Sequence, residues 1–194
     1  MDTQYVASNP GRLKLSKSKL KLLRPDLCGI GGGLKSLAAI FDSEGSETKY
    51  FKEHLKYGDS RAAIVVSTSP ILVAAYTDEL DCVAMLHFPD ELNQFMPLKP
   101  GKRLLTVNVY SWSSLLDEDL QPGPRMTKRH CGFHPLIADF VSDDEETIVA
   151  LKKRIPAEEW RRTQVMAEKY LNQHPGRYRD GSPARCQFPY VLPD

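Results

Sequence analysis

Four short apolar stretches rich in Val, Ile and Leu lie in the middle of the chain, and each is bounded by Pro, Asp or Gly. Stretches of this length and composition are typical of β-strands. They cover residues 61–70, 71–77, 82–88 and 103–112. Because only the polar loop DELD separates the second stretch from the third, we expect these two strands to pair antiparallel.

An amphipathic helix is predicted directly before these strands, over residues 46–59. Helical spacing places four side chains on its inner face: Tyr50, Phe51, His54 and Leu55. Gly58 is expected to end this helix, since glycine is favoured just after a helix C-terminus. Residues 97–102 are predicted to form a turn and residues 116–135 a long polar loop.

Two further helices are predicted after the polar loop. Ser142 and Glu145 have the spacing of a capping box, and the acids of residues 143–146 suit the first turn of a helix. These acids therefore have a structural explanation, and we assign them no metal or catalytic role. Pro156 is expected at the first position of the second helix, and an apolar stripe at helical spacing predicts its core face: Trp160, Thr163, Ala167 and Tyr170.

The order of these elements predicts an α+β fold. We expect an antiparallel sheet of about four strands, helices packed on one face, two C-terminal helices and an extended tail. The predicted organisation is a basic N-terminal segment over residues 1–27, a single domain over residues 28–173 and a C-terminal tail over residues 174–194. At 194 residues, the chain is long enough to bury a substantial core.

Charge is distributed unevenly, which the overall net charge of +1 conceals. Residues 1–40 carry a net charge of +5, residues 41–146 carry −8, and residues 147–194 carry +4. Such asymmetry indicates either an electrostatic partner for the two ends or ends that fold back on the acidic middle. The sequence leaves both alternatives open.

The N-terminal segment contains six basic residues and no acidic residue within thirteen positions: Arg12, Lys14, Lys17, Lys19, Lys21 and Arg24. Helical spacing separates a cationic face from a leucine face, and Pro25 would end the helix near Arg24. An amphipathic basic segment of this kind can contact nucleic acid, an anionic membrane surface or an acidic protein. The alternative is an ordinary helix that packs through its leucines and exposes its lysines to solvent.

The C-terminal tail alternates cations with aromatic side chains, and its Pro and Gly residues disfavour regular structure. Arg and aromatic residues frequently anchor interfaces. We therefore expect the tail to dock on its own body or on a partner. Together with the six cations of the N-terminal segment, the expected partner-binding residues include Arg177, Tyr178, Arg179 and Arg185.

The stretch CGIGGGLKSLAA over residues 28–39 resembles a phosphate-binding loop only superficially. Leu34 separates Gly33 from Lys35, which breaks the Gly-Lys pair of a P-loop. Leu34 also stands where a dinucleotide-binding loop has its third glycine. We predict a turn that begins a helix, with a generic anion site at the N-terminus of that helix as the alternative, and we expect no cofactor.

One loop contains residue types that could carry chemistry: His130, Cys131 and His134. Two imidazoles and a thiolate are zinc ligands, and a cysteine beside a histidine could be an activated nucleophile. The ligand set is incomplete, and the candidates for a further ligand are Asp139 and His87, with Cys82, Cys186 and His174 more remote. A zinc-dependent hydrolase or transferase centred on this loop is an alternative function. The default is a loop with a buried thiol.

Neither the cysteines nor the apolar stretches indicate a secreted or membrane-spanning chain. The four cysteines form no CxxC pair, residues 1–14 lack the apolar core of a secretory signal, and the strongest apolar run is only strand-sized. We therefore expect reduced thiols, a cytoplasmic location and no transmembrane segment.

No complete catalytic motif is present in the sequence, so we expect a protein that is not an enzyme. The uneven charge favours an intracellular interaction module, a component of a larger protein assembly that uses its basic N-terminal and Arg/aromatic C-terminal segments as contacts. The second hypothesis is a nucleic-acid-associated protein that binds through residues 12–24. Against it, the acidic middle of the chain would repel a polyanion.

Overall fold

Seven strands form one sheet in the computed structural model, which describes residues 7–28, 46–111, 119–125 and 132–185. The strands are β1 (Asp59–Thr68), β2 (Ile71–Thr77), β3 (Cys82–Phe88), β4 (Arg103–Ser111), β5 (Leu120–Pro122), β6 (Gly132–Ile137) and β7 (Arg179–Asp180). Neighbouring strands follow the order β5, β3, β2, β1, β4, β6, and β7 pairs with β3. All pairings are antiparallel except that of β7 with β3.

Helices precede, interrupt and follow these strands. They are α1 (Lys17–Leu23), α2 (Pro25–Cys28), α3 (Ser46–Tyr57), α4 (Leu92–Phe95), α5 (Ala138–Val141), α6 (Glu145–Arg154) and α7 (Ala157–Gln173). The predicted α+β class is thus confirmed. The predicted helix α3 is present, with the side chains of its expected inner face all buried: Tyr50, Phe51, His54 and Leu55.

The antiparallel hairpin of β2 and β3 is also confirmed, with residues 78–81 as its loop and Thr77 paired with Cys82. The expected number of strands, about four, is too low. The strands β5 and β6 lie within or beside residues 116–135, which were predicted to be loop, and β7 lies in the tail. In β6, Pro135 obscures the pattern, and this residue is accommodated because β6 is an edge strand of the sheet.

Both faces of the sheet are covered. Successive residues of β2 point to opposite sides, so Val73 and Ala75 enter a larger core whereas Leu72 and Ala74 enter a second one. The larger core includes residues of α1, α3, α5 and α6, while Met166, Ala167 and Tyr170 of α7 pack on the second face. Helices were predicted on one face of the sheet, whereas the structure has helices on both faces. The continuous apolar run of β2 is the sequence signal for burial on both sides.

The predicted helix starts differ in detail from those observed. Helix α6 begins at Glu145 with Asp144 as its N-cap, and the Ser142 hydroxyl accepts the Asp144 N–H at 3.2 Å rather than closing a capping box. Pro156 is the N-cap of α7 and not its first residue. The predicted apolar stripe of α7 is confirmed as buried: Trp160, Thr163, Ala167 and Tyr170.

Helix α3 packs closely against β4 at Gly58. A Cβ at Gly58 would lie 2.7 Å from the His54 carbonyl oxygen and 2.7 Å from a Val107 methyl group. Gly58 is therefore required for space. The His54 ring is buried here, and its Nε2 lies 2.9 Å from the Val107 carbonyl oxygen, which assigns Nε2 as the donor.

Burial lowers the pKa of His54 from 6.5 to about 4; the hydrogen bond to Val107 opposes this shift, and the nearby His134 adds to it. The unfolded chain therefore binds a proton at His54 at a higher pH than the folded protein does. Stability from the neutral ring is fully present above pH 6.5 and is lost as the pH falls towards 4.

Between pH 6.5 and pH 4, we expect the free energy of unfolding to fall less in His54→Gln than in the wild type. The difference between the two proteins in this fall should reach up to about 3 kcal/mol, because one pKa unit corresponds to about 1.4 kcal/mol. Urea denaturation at several pH values measures it. His87→Gln, at an exposed position of β3, is the control and should leave the loss unchanged. Equal pH profiles for the wild type and His54→Gln would contradict the assignment.

Candidate functional site

The N-terminal segment packs onto the body of the protein through its leucines. Leu13, Leu20 and Leu23 are buried in the larger core. Helix α1 begins after Ser16, whose hydroxyl accepts the Lys19 N–H at 3.3 Å, and it ends before Pro25 as expected. The Ser16 N–H itself donates to the Val141 carbonyl at 2.8 Å. The leucine face of this segment is therefore core.

Two of the predicted contact cations are turned inward. The Lys19 ammonium donates to the carbonyl oxygens of Asp139 and Ser142 and lies 3.3 Å from the Asp143 carboxylate. The Arg24 guanidinium donates to the Asp26 carboxylate at 2.7 and 2.8 Å, to Glu47 at 3.2 Å and to the Pro183 carbonyl. Both side chains bind the segment to its own body.

The other cations of the segment are exposed: Arg12, Lys14, Lys17 and Lys21. Lys17 and Lys21 are one helical turn apart on α1 and therefore share a face. Within the described ranges, the side chains of Arg12, Lys14 and Lys21 make no hydrogen bond or ion pair. Lys19 and Arg24 thus bind the segment to the body of the protein, whereas its other cations are exposed to solvent.

The predicted contact residues of the tail likewise include both docked and exposed side chains. The Arg179 guanidinium forms a two-point contact with Asp119 at 2.5 and 2.7 Å and donates to the Phe133 carbonyl at 2.6 Å. Tyr178 is half-buried against the α7 core. Arg177 is exposed, although its carbonyl accepts the Tyr170 hydroxyl, and Arg185 is exposed with its guanidinium 6.0 Å from the Tyr50 ring. The described part of the tail therefore docks on the body.

Residues 9–13, which we call the strap, cross the C-terminal end of α3 and are held there by backbone hydrogen bonds. The Gly11, Arg12 and Leu13 N–H groups donate to carbonyl oxygens of α3 and Gly58 at 3.0, 3.0 and 3.2 Å. The Asn9 N–H donates to the Asp59 carboxylate at 2.9 Å, and the Ser60 N–H returns a bond to the Asn9 carbonyl. The strap is thus fixed along its length.

Close approach of the strap to α3 depends on Gly11. A Cβ at this position would lie 2.4 Å from the Leu55 carbonyl oxygen. The next residue, Arg12, has a φ of 51°, in the left-handed region that side chains other than glycine rarely adopt. The strap therefore presents the Arg12 side chain from a constrained backbone.

A cavity of ≈ 300 Å³ lies between the strap and α6. Its charged lining residues are Arg12 and Arg154, and no carboxylate lines it. A smaller space of ≈ 20 Å³ adjoins it and shares Asn9, Leu151 and Arg154 with it. This cavity brings together a residue that the sequence predicted, Arg12, with one that it did not, Arg154.

A charge network lies beside the smaller space; Arg61, Asp59 and Glu159 form its buried part, and the exposed Asp78 completes it. The Arg61 guanidinium is 2.6 Å from Asp59, 2.7 Å from Asp78 and 3.7 Å from Glu159. The Glu159 carboxylate also accepts the Ala62 N–H at 2.8 Å. Burial raises the pKa of Asp59 and of Glu159, while Arg61 opposes that rise at both carboxyl groups.

A second network surrounds Asp81 in the β2–β3 loop. Its carboxylate accepts the Tyr76 hydroxyl at 2.9 Å, the Arg125 N–H at 2.7 Å and the Arg162 guanidinium at 3.1 Å. Burial raises the pKa of Tyr76 to about 12, and the Asp81 carboxylate adds to this shift. These contacts fasten α7 and residues 123–125 to the hairpin, which is a structural role.

The residues of the zinc hypothesis are only partly described. His130 and Cys131 lie outside the described residues, and His134 is in β6, paired with Val109, rather than in a loop. Asp139 accepts the Lys152 ammonium and the Leu105 N–H, so its carboxylate is engaged in structure. In the described ranges no group of three His, Cys, Asp or Glu residues is placed to hold a metal ion.

The glycine-rich stretch over residues 29–39 also lies outside the described residues, as does the tail beyond Arg185. No helix in the described part is long and apolar enough to cross a membrane. No protein-family model, curated protein or solved structure matches this chain. The candidate site therefore rests on the exposed cations and on the arginine-lined cavity.

Replacing Arg61 tests the buried network. We expect Arg61→Met to lower the free energy of unfolding at pH 7 by about 3–5 kcal/mol, because it leaves two buried carboxylates without their cation. The pKa values of Asp59 and Glu159 would rise further, so the deficit should shrink as the pH falls and both groups become protonated.

Guanidinium denaturation at pH 7 and pH 5 measures this effect. Arg161→Met is the matched control, because the exposed Arg161 pairs with an exposed Glu158 and should contribute little. An Arg61→Met protein as stable as the control would show that the network is not required.

Proposed function

We propose that this chain is a non-enzymatic interaction module that contacts an acidic protein partner through the exposed cations of its N-terminal segment. The observation that supports this is the division of charge within the segment. Lys19 and Arg24 are used for docking, whereas Arg12, Lys14 and Lys21 are exposed and their side chains make no ion pair in the described ranges. Solvent-exposed cations on an anchored segment provide a preorganised surface for a partner's carboxylates.

The tail is placed to extend this surface. The Arg24 guanidinium binds the Pro183 carbonyl, so the tail meets the C-terminal end of α1. The exposed Arg185 follows two residues later. The proposed contact surface therefore includes Arg185 with Lys21 and leaves Arg179, which is bound to Asp119, as a structural residue.

The acids at the start of α6 favour a protein partner over nucleic acid. The Asp144 carboxylate accepts the Lys14 N–H at 2.6 Å, and Asp143 lies beside Lys19. These carboxylates, together with Glu145 and Glu146, adjoin the basic segment and would repel a continuous phosphate backbone. A polypeptide partner can place its own carboxylates beside the exposed lysines without bringing negative charge against this acidic patch.

The double variant Lys14→Glu/Lys21→Glu tests the proposal. We expect it to lose at least tenfold of the partner recovered when the tagged protein is affinity-purified from its own lysate and analysed by mass spectrometry. Lys99→Glu/Lys169→Glu, two exposed lysines elsewhere, carries the same charge change and is expected to keep the partner. Equal recovery with both double variants, or a chain that stays monomeric and captures nothing, would overturn the proposal.

Nucleic-acid binding is the second candidate, since the same cations could contact phosphates. In that case log K should fall with log salt at a slope of about −3 for three phosphate contacts on a duplex, and Lys14→Glu/Lys21→Glu should reduce the slope. Fluorescence anisotropy with a labelled duplex and a labelled single strand measures it. We expect no saturable binding at 150 mM salt, about a physiological ionic strength; a steep slope would replace the protein partner with nucleic acid.

A further inference from the structure

The cavity between the strap and α6 has a shape that follows from one face of the helix. Thr147, Ala150, Leu151 and Arg154 line it, and their spacing places all four on the same side of α6. Ala150 and Thr147 are small, which leaves ≈ 300 Å³ between the helix and the strap. This volume is at the lower end of the range for small-molecule sites.

The charged residues that line the cavity are both cationic. Arg12 enters from the strap and Arg154 from the last turn of α6, and neither makes an ion pair in the part of the chain that the structure describes. The nearest buried acids, Asp59 and Glu159, face Arg61 and do not line the cavity. Two guanidinium groups that share one cavity repel each other, and a bound anion would relieve this repulsion.

A buried hydroxyl adds a second, independent feature. The Ser60 side chain is 3% exposed, and its Oγ has no hydrogen-bond partner in the described residues. It lines the smaller space of ≈ 20 Å³ that shares Arg154 with the main cavity. A buried hydroxyl without a partner is unfavourable by about 1–3 kcal/mol. An oxygen atom bound at Arg154, directly or through one water, would satisfy it.

The backbone of the strap provides rigidity. Arg12 has a φ of 51°, and its N–H is held by the Lys56 carbonyl at 3.0 Å. Left-handed conformations at residues other than glycine are unfavourable and occur frequently at ligand clamps. The backbone from which the Arg12 side chain extends is therefore fixed, so no backbone entropy is lost there when the side chain binds an anion.

We propose that this cavity binds a phosphate monoester. Arg12, Arg154 and the Thr147 hydroxyl would contact phosphate oxygens, and the Ser60 hydroxyl, which lines the adjoining smaller space, would donate to one directly or through one water. A phosphate presents three terminal oxygens and up to two charges, which matches two guanidinium groups and two hydroxyls better than a carboxylate does. Arg12 belongs to both proposed sites, but the protein-docking function is tested separately, because Lys14 and Lys21 do not line the cavity.

Isothermal titration calorimetry with the whole chain tests this site. The probes are O-phospho-L-serine, a capped peptide containing one phosphoserine, inorganic phosphate, and succinate as a carboxylate control. We expect one saturable site for the phosphate monoesters, with succinate at least tenfold weaker. Binding of the peptide at least tenfold more tightly than free phosphoserine would identify a modified protein as the source, and equal affinities would identify a small metabolite.

Variants distinguish the cavity from general surface charge. Arg154→Gln and Arg12→Gln should each weaken phosphoserine binding at least tenfold, and Ser60→Ala should weaken it severalfold. Lys153→Gln, the exposed neighbour of Arg154, makes the same charge change and should alter the affinity less than twofold. Thermal unfolding without ligand checks that each variant is folded, and phosphoserine should raise the melting temperature of the wild type but not of Arg154→Gln.

Two results would overturn the site. One is the lack of saturable binding of any phosphate probe at millimolar concentration. The other is equal weakening by Arg154→Gln and Lys153→Gln, which would assign the effect to overall charge. Succinate binding as tight as phosphoserine binding would overturn the ligand class.

Discussion

The Arg61 guanidinium holds together parts of the chain that are far apart in sequence. It contacts Asp59 beside it on β1, Asp78 in the β2–β3 loop and Glu159 on α7. Asp59 in turn accepts the Asn9 N–H, so the strap depends on the same network. Because a guanidinium donates in fixed planar directions, these contacts define where α7 and the strap lie against the sheet. The position of the cavity follows from them, since Asn9 lines it and Arg61 lines the space beside it.

Local periodicity made part of this fold predictable. Short apolar runs identified β2 and β3, and helical spacing identified α3 and the buried stripe of α7, because these signals lie in consecutive or regularly spaced residues. The charge of the N-terminal segment was also readable. The sequence does not show which of these cations are docked and which are exposed. Lys19 and Arg24 are distinguished from their exposed neighbours only by partners that include residues 139–143 and 183.

The remaining features depend on contacts between distant residues. Strands β5 and β7 span three and two residues, too few for a repeat to appear. In the sequence Arg154 is one more cation at a helix C-terminus, and only the fold places it opposite Arg12. Arg61 carries a signal in the sequence, because a charged side chain in a buried part of a strand needs buried counter-charges.

Docking of the N-terminal segment has a consequence for the order of events during synthesis. This segment leaves the ribosome before the body of the protein, yet Lys19 contacts residues 139–143, and Arg24 contacts Pro183 as well as the nearer Asp26 and Glu47. Its leucines therefore have no complete core to enter until late in translation. For most of that time a cationic, amphipathic peptide stays without its complete docking site, and a segment that is made later secures one that is made earlier.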